Sequence, residues 1–401
     1  MAKPAAETRH DGAPLLPKIR PRGGASISGA VFNVSTSMIG AGIMSIPATF
    51  KVLGVIPGFI LILMVAFAVE VTVEFLLRYT NSGESASYGG LMAESFGKFG
   101  SVALQVCVMV TNLGDVLCGN QSEGTLHLGI LQEWFGIQWW NSRACALLVI
   151  VLFVMLPFLL LRSIESLKHA SAVSILLATF PKESPSLIYS LLFQYSPLSF
   201  GCHVNVHPVR AELIRPSDMS SAVRISLVLC VVIYVTVGFF GFLLFGDSIM
   251  SDMLVNFDQT SDSAIGTLLN DIVRLSYVIH LMMVFPVMNF SLRVNVDELI
   301  FPRKPLLATD TSRFVLITCV LLSFIYLAAI AVPDIWYFFQ FMGTTTVMCL
   351  MFIFPSAIIL RDVHGIATRR DKIVAVLVII LAAGTSLIAI SSNVHSSISK
   401  K

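Results

Sequence analysis

Long apolar runs alternate along the chain with short polar ones. Stretches of 18 or more mainly apolar residues are long enough to cross a hydrocarbon core of roughly 30 Å. They fall at residues 27–50, 54–77, 99–119, 144–161, 223–245, 272–292, 314–332, 335–360 and 373–391. Nine membrane-spanning helices are predicted from them. Residues 169–207 hold two weaker runs, Ala170 to Phe180 and Leu187 to Val206, separated by Pro181-Lys182-Glu183-Ser184-Pro185 and with Pro197 inside the second. A dozen apolar residues at ~1.5 Å rise cover about 18 Å of that core. Each of these two segments is therefore marginal as a crossing.

Charge sets the orientation, because cytosolic loops collect Lys and Arg near span ends. Arg162 and Lys168 mark one cytosolic loop, and Arg210, Arg215 and Arg224 mark the next, so residues 169–207 cross an even number of times. Residues 246–272 carry five Asp and no Lys or Arg and read as outside; Arg78–Lys98, Arg293–Arg313 and Arg361–Lys372 read as inside. With both marginal segments inserted there are eleven crossings. Residues 1–24, with Lys3, Arg9, Lys18, Arg20 and Arg22, are predicted to form a cytosolic tail, and no short apolar core with a cleavage site follows them. Residues 25–393 form one all-α membrane domain, and 394–401 a short non-cytosolic tail.

The composition agrees: 56% of residues are hydrophobic and 12% charged, against about 25% charged in an ordinary soluble protein. The net charge of +2 is spread between apolar segments and forms no stripe for nucleic acid. Seven cysteines, at 107, 118, 145, 202, 230, 319 and 349, show no CxxC or His-paired spacing, so they read as membrane-packed thiols with neither a metal site nor a disulfide framework. No nucleophile elbow, phosphate loop or carboxylate dyad is present, and no cofactor is expected.

Candidate chemistry begins in the first span, Phe32 to Pro47, FNVSTSMIGAGIMSIP. Polar side chains lead into Gly40-Ala41-Gly42 and then Pro47, a pattern that predicts a break in the helix near the bilayer midplane. Irregular backbone is tolerated there only where protein or a cavity surrounds it, and half-helix ends at that depth hold ions and zwitterions. The amides around Ile39 to Ile43 would face an amino acid carboxylate. Asn33, Ser35, Thr36, Ser37 and Met38 are placed beside them.

The first-span block, the span around VFPVMNF (284–290) and the HPVRAEL segment (207–213), in an eleven-crossing order, resemble the amino acid/auxin permease family, most closely its plant vacuolar-type neutral and acidic amino acid transporters. The similarity runs from about Gly23 to Asn393. It implies a leucine-transporter-like five-plus-five inverted repeat with an extra C-terminal span. Spans 1 and 6 are then both broken and face each other across the substrate. The substrate-binding set becomes Asn33, Ser37, Met38, Ile39, Gly40, Ala41, Gly42, His203 and Asn205. Ile279 and His280 stand where sodium-coupled relatives carry a threonine ahead of the Phe-Pro pair, which favours protons over sodium. The proton-coupling candidates are His280, His203 and Glu70. In the family the fifth span and the first half of the sixth are full length, whereas here that region is compressed. A non-transporting receptor or regulatory isoform is thus the alternative to an amino acid transporter.

Four further expectations follow from position. Glu70, Glu74 and Arg78 share one face of span 2, with Glu74 and Arg78 as an interfacial pair. His207 reads as a cytosolic interface residue and Arg293 as a cytosolic anchor. Asn120-Gln121-Ser122 is a glycosylation sequon on the non-cytosolic side. The resemblance implies the vacuolar membrane, and the charges fit the plasma membrane or endoplasmic reticulum equally.

Overall fold

Ser26 opens the first helix: its hydroxyl accepts a hydrogen bond from the Gly29 N–H at 3.2 Å, satisfying one of the free donors of a helix start. The computed structural model describes residues 25–83, 85–135, 148, 152, 156–159, 199–246, 249, 264–301, 307, 310–331 and 342–399. Helices α1 (Ile27–Met38) and α2 (Ile46–Leu53) make up the first span, with a short 3₁₀ turn, Ala41–Ser45, between them. The remaining helices are α3 (Val55–Ser82), α4 (Tyr88–Phe135), α5 (His203–Glu212), α6 (Met219–Phe245), α7 (Ala264–Ile300), α8 (Thr311–Ala331), α9 (Phe354–Arg361) and α10 (Arg369–Ser399). Two π-wound turns, Gly343–Val347 and Cys349–Ile353, lead into α9. Ala25 and Leu213 form an isolated parallel bridge, and no strand occurs among the described residues.

Six helices among the described residues are long and apolar enough to cross a membrane: Val55–Ser82, Tyr88–Leu113, Pro216–Phe245, Thr311–Ala328, Gly343–Arg361 and Arg369–Ser391. They match six of the nine predicted spans, and the first span is divided as Gly40-Ala41-Gly42 foretells. The marginal residues 169–198 lie outside the described residues, and residues 199–207 form the approach to α5 and its first half. The predicted third span is longer than expected. Gly97, at φ 67° and ψ −161°, bends it, and helix continues to Phe135. Asn120, expected just beyond the end of the third span, lies within this helix.

In lipid the tails are as apolar as the side chains, so helices associate through close packing and polar links. Phe50 of α2 is fully buried between two glycines, Gly58 of α3 and Gly238 of α6; a Cβ on Gly238 would stand 2.9 Å from the Phe50 ring. One apolar core joins α1, α2, α3, α5 and α6 with Val347, Met348, Met351 and Phe352. A second joins α7 and α8 with Met109 and Leu113 of α4, and a third joins α3 and α4 with Ile358, Ile359 and Ala375.

Asp362 ends α9 in the left-handed conformation (φ 46°, ψ 52°). Its Oδ1 accepts from Tyr79 Oη at 2.5 Å, Ile366 N at 2.9 Å and Ala367 N at 3.1 Å, and its Oδ2 lies 2.9 Å from Lys372 Nζ. The Tyr79 bond, with Lys372 and the loop amides, holds this carboxyl well below the usual carboxylate range. A depressed folded-state pKa gives stability that is complete above the ordinary Asp value of about 3.9 and fades as pH falls below it. Asp362→Ala is expected to lower the unfolding temperature in detergent at pH 7, the left-handed backbone alone costing about 1–2 kcal/mol. The gap to the unaltered chain should narrow below about pH 4. A gap independent of pH would assign the whole effect to the backbone.

Candidate functional site

The hydrogen-bond ladder of α1 ends with Ile39 N donating to Ser35 O at 2.8 Å. Gly40 then extends (φ −130°, ψ −153°), and the 3₁₀ turn restarts with Ile43 N donating to Gly40 O at 3.2 Å. Such a start leaves the N–H groups of Gly40, Ala41 and Gly42 outside the turn's own bonds. A Cβ on Gly40 would meet nothing within 4 Å, so open space adjoins the break there. A Cβ on Gly42 would stand 3.1 Å from the Ser199 Cα, so at this point the chain presses against the residues that lead into α5. Two irregular segments, more than 150 residues apart in the chain, are thereby in contact.

Helix α5 runs antiparallel to α1. Near its start, Asn205 Nδ2 donates to Ser37 Oγ at 2.8 Å; beyond its end, Ala25 N donates to Glu212 O at 2.8 Å and Ile214 N to Ala25 O at 3.2 Å. Asn205 also accepts, at Oδ1, a short hydrogen bond from Ser291 Oγ of α7. Ser37 passes its own proton to Asn33 O at 2.9 Å. A single directed chain therefore runs Ser291 to Asn205 to Ser37 to Asn33, across three helices, with all four residues buried.

His203 and His207 lie on the α3 side of α5. His203 Nε2 is 2.9 Å from Thr72 Oγ1, and His207 Nε2 is 2.9 Å from Thr80 Oγ1. Arg210 follows one turn on, its Nη2 donating to Asn81 Oδ1 at 2.7 Å. On the other flank α6 supplies three rungs to free or shared carbonyls of α1: Ser226 to Val31 O at 3.0 Å, Cys230 to Ser35 O at 4.0 Å and Tyr234 Oη to Met38 O at 2.9 Å. Tyr234 also reaches Ser199 O, so one phenol touches both broken segments.

The structure thus gathers Asn33, Ser37, Met38, Ile39, Gly40, Gly42, His203 and Asn205 around one point and buries all of them except Gly40, which is half-buried. Two of the proton-coupling candidates stand elsewhere. His280 is buried on α7, three turns before Ser291, or about 16 Å by helical rise. Glu70 faces outward, half-exposed, and pairs with Arg224 of α6 at 2.8 Å. Three expectations are corrected. Arg78 pairs with Asp371 at 2.8 Å because the first turn of α10 packs beside it, and Glu74 instead accepts from Ser220. Arg293 is buried rather than anchored at a surface: its Nη1 donates to Leu159 O and Thr318 Oγ1, and its guanidinium lies 4.0 Å from the Phe314 ring centre. His207, read as an interface residue, is likewise buried.

Thr72, Thr80, Ser291 and Tyr234 escaped the sequence reading. A signal existed for Tyr234, because a phenol inside an apolar span needs a partner for its hydroxyl. Ser226, Cys230 and Tyr234 also repeat at every fourth position, one helix face. Thr72 and Thr80, eight residues apart, share one face of α3 in the same way.

Known proteins resemble the chain over most of its length. The family model described as transmembrane amino acid transporter protein matches residues 23–198 and 198–396. Amino acid transporter AVT6C of Arabidopsis thaliana is 51% identical over 423 aligned positions, spanning 95% of this chain and 97% of that protein. Amino acid transporter AVT6D of the same plant is 49% identical, spanning 96% and 97%. A crystal structure of the Eremococcus coleocola manganese transporter superposes with a TM-score of 0.54 at 13% identity, covering 96% of this chain and 91% of that one, which supports the fold alone.

Proposed function

We propose, of a chain that belongs to the transmembrane amino acid transporter protein family, that it carries neutral or acidic amino acids across a membrane by secondary active, proton-coupled alternating access. The observation that carries this reading is the contact between the two irregular segments, with Gly42 against Ser199 and Asn205 bonded to Ser37. The N–H groups of Gly40, Ala41 and Gly42, outside the turn's own bonds, take the substrate carboxylate, because a half-helix start presents donors and partial positive charge. The open space at Gly40 receives the rest of the amino acid.

The antiparallel course of α1 and α5 supports a five-plus-five inverted repeat with an added C-terminal span, in which the two broken spans face each other. His203, beside the break, is the first choice for the coupled proton, since imidazole titrates near neutral pH. His280 and Glu70 are the others, one three turns along α7 and one already paired with Arg224. The vacuolar membrane is the proposed location.

A second reading is that the chain keeps the fold without transporting. The 423 positions aligned with AVT6C outnumber the 401 residues of this chain, so that relative has positions with no counterpart here. The family match is also divided at residue 198, immediately before Ser199. Purified protein in proteoliposomes, given radiolabelled amino acids and an imposed pH gradient, separates the readings. Uptake above that of empty vesicles, rising with the gradient, is expected. Background uptake by correctly inserted protein would favour the non-transporting form.

A further inference from the structure

His207 is built like His203, and the duplication has a chemical consequence. Thr80 has one hydroxyl proton, which we assign to Leu76 O, at 2.7 Å the shorter of its two contacts, over His207 Nε2 at 2.9 Å. The Thr80 oxygen can then only accept from His207, so Nε2 carries the proton of the neutral ring and Nδ1 is the bare nitrogen. Thr72 does the same for His203, giving its proton to Ala68 O at 2.9 Å and Val69 O at 3.1 Å. Among the described residues both Nδ1 atoms are buried without a hydrogen-bond partner. A buried lone pair left unpaired costs free energy, and it is a ready acceptor for a proton.

One wall around the buried His207 suits a cation. Its imidazole stacks on the Tyr88 ring of α4, with centroids 5.9 Å apart and planes 19° apart, a geometry in which an aromatic face stabilises positive charge. The Tyr88 hydroxyl is turned away to Leu350 O at 2.8 Å. From α3 the ring meets the neutral Thr80 hydroxyl. The charged groups that act on it are on its own helix: Arg210, whose guanidinium is drawn off to Asn81, and His203 one turn back when protonated.

We propose that His207 is a second proton-binding site of the transporter, one helical turn from His203 on the Arg210 side, with the proton taken and released at Nδ1 while Nε2 stays bound to Thr80. The proton comes from the aqueous phase, adds to the Nδ1 lone pair to give the imidazolium, and leaves from the same nitrogen. This assignment rests on the proton-coupled reading above. A purely mechanical role, in which the two histidines rivet α5 to α3, makes the opposite predictions.

The test compares His207→Gln, whose terminal amide keeps a donor for Thr80 but cannot titrate, with Thr80→Val, which keeps the imidazole and removes the bond. The readout in proteoliposomes is the ratio of pH-gradient-driven uptake to amino acid exchange at equal pH on both sides. His207→Gln is expected to lower the ratio about tenfold, within the usual range of coupling between sites, and Thr80→Val to leave it within about twofold. His207→Asn reads the same ratio if the glutamine variant does not insert. An unchanged ratio in the titration-silent variants, or an equal fall in Thr80→Val, would overturn the assignment. Absence of any gradient response in the unaltered chain would instead overturn proton coupling itself, and this site with it.

Discussion

Gly42→Ala should nearly abolish amino acid uptake while Gly40→Ala leaves a protein that still transports but binds its substrate more weakly. The two glycines are two residues apart, yet their surroundings differ. A methyl at 42 meets the Ser199 main chain at 3.1 Å and its Cβ at 3.2 Å, and a main chain cannot rotate away as a side-chain tip can. Overpacking of this kind costs about 1–3 kcal/mol, and here the displaced atoms are those of the site. A shift of about 1 Å at a binding centre can cost on the order of a hundredfold in rate. A methyl at 40 meets nothing within 4 Å, and φ of −130° suits any residue, so the fold accepts it. It occupies the space assigned to the substrate. The expected result is a higher KM for Gly40→Ala with near-normal maximal flux, and a collapse of maximal flux for Gly42→Ala with insertion intact. If the two variants behave alike, Gly42 and Ser199 are not in contact in the working protein.

The second large effect is expected at Asn205. Replacement by leucine leaves the Ser291 hydroxyl without its acceptor and removes the donor to Ser37, at a point where all these groups are buried. Each orphaned buried group costs about 1–3 kcal/mol. The larger loss is mechanical, because Asn205 is the one residue of α5 that bonds both α1 and α7 through its side chain among the described contacts. Asn205→Leu should bring uptake below about a tenth of the unaltered level and lower the unfolding temperature. Ser291→Ala should do less, and the double variant little more than Asn205→Leu alone, with a coupling of about 0.5–3 kcal/mol between the two positions. Additive losses in stability would show that the two side chains act separately.

Much of the frame was legible in the residues. Length of apolar run gave six of the spans, since this follows from bilayer thickness alone. Gly40-Ala41-Gly42 announced the break because glycine, and proline soon after, weaken a helix wherever they stand. The partners were less legible. Thr72 and Thr80 are ordinary span residues until α5 is laid beside them, and a helix-to-helix register is set by packing that no local pattern encodes. Arg293 was misread for a related reason: an arginine near a span end normally reaches for water, and only the carbonyl of Leu159, the Thr318 hydroxyl and the Phe314 face make an inward course sustainable. Arg78 went to Asp371, almost three hundred positions away, in preference to the glutamate one turn before it.

The two backbone bonds between Ala25 and residues 212–214 give the closed form a measurable lock. On the proposed orientation they fasten the mouth of the bundle where α1 enters and α5 leaves, on the cytosolic face. Each is worth about 0.5–1.5 kcal/mol net, so together they bias the equilibrium against inward opening by about 1–3 kcal/mol. A bias of that size leaves between roughly one molecule in six and one in 160 open at rest. On the proposed alternating access, and with the two forms otherwise balanced, that is a latch weak enough to release on every cycle and strong enough to limit leakage between cycles.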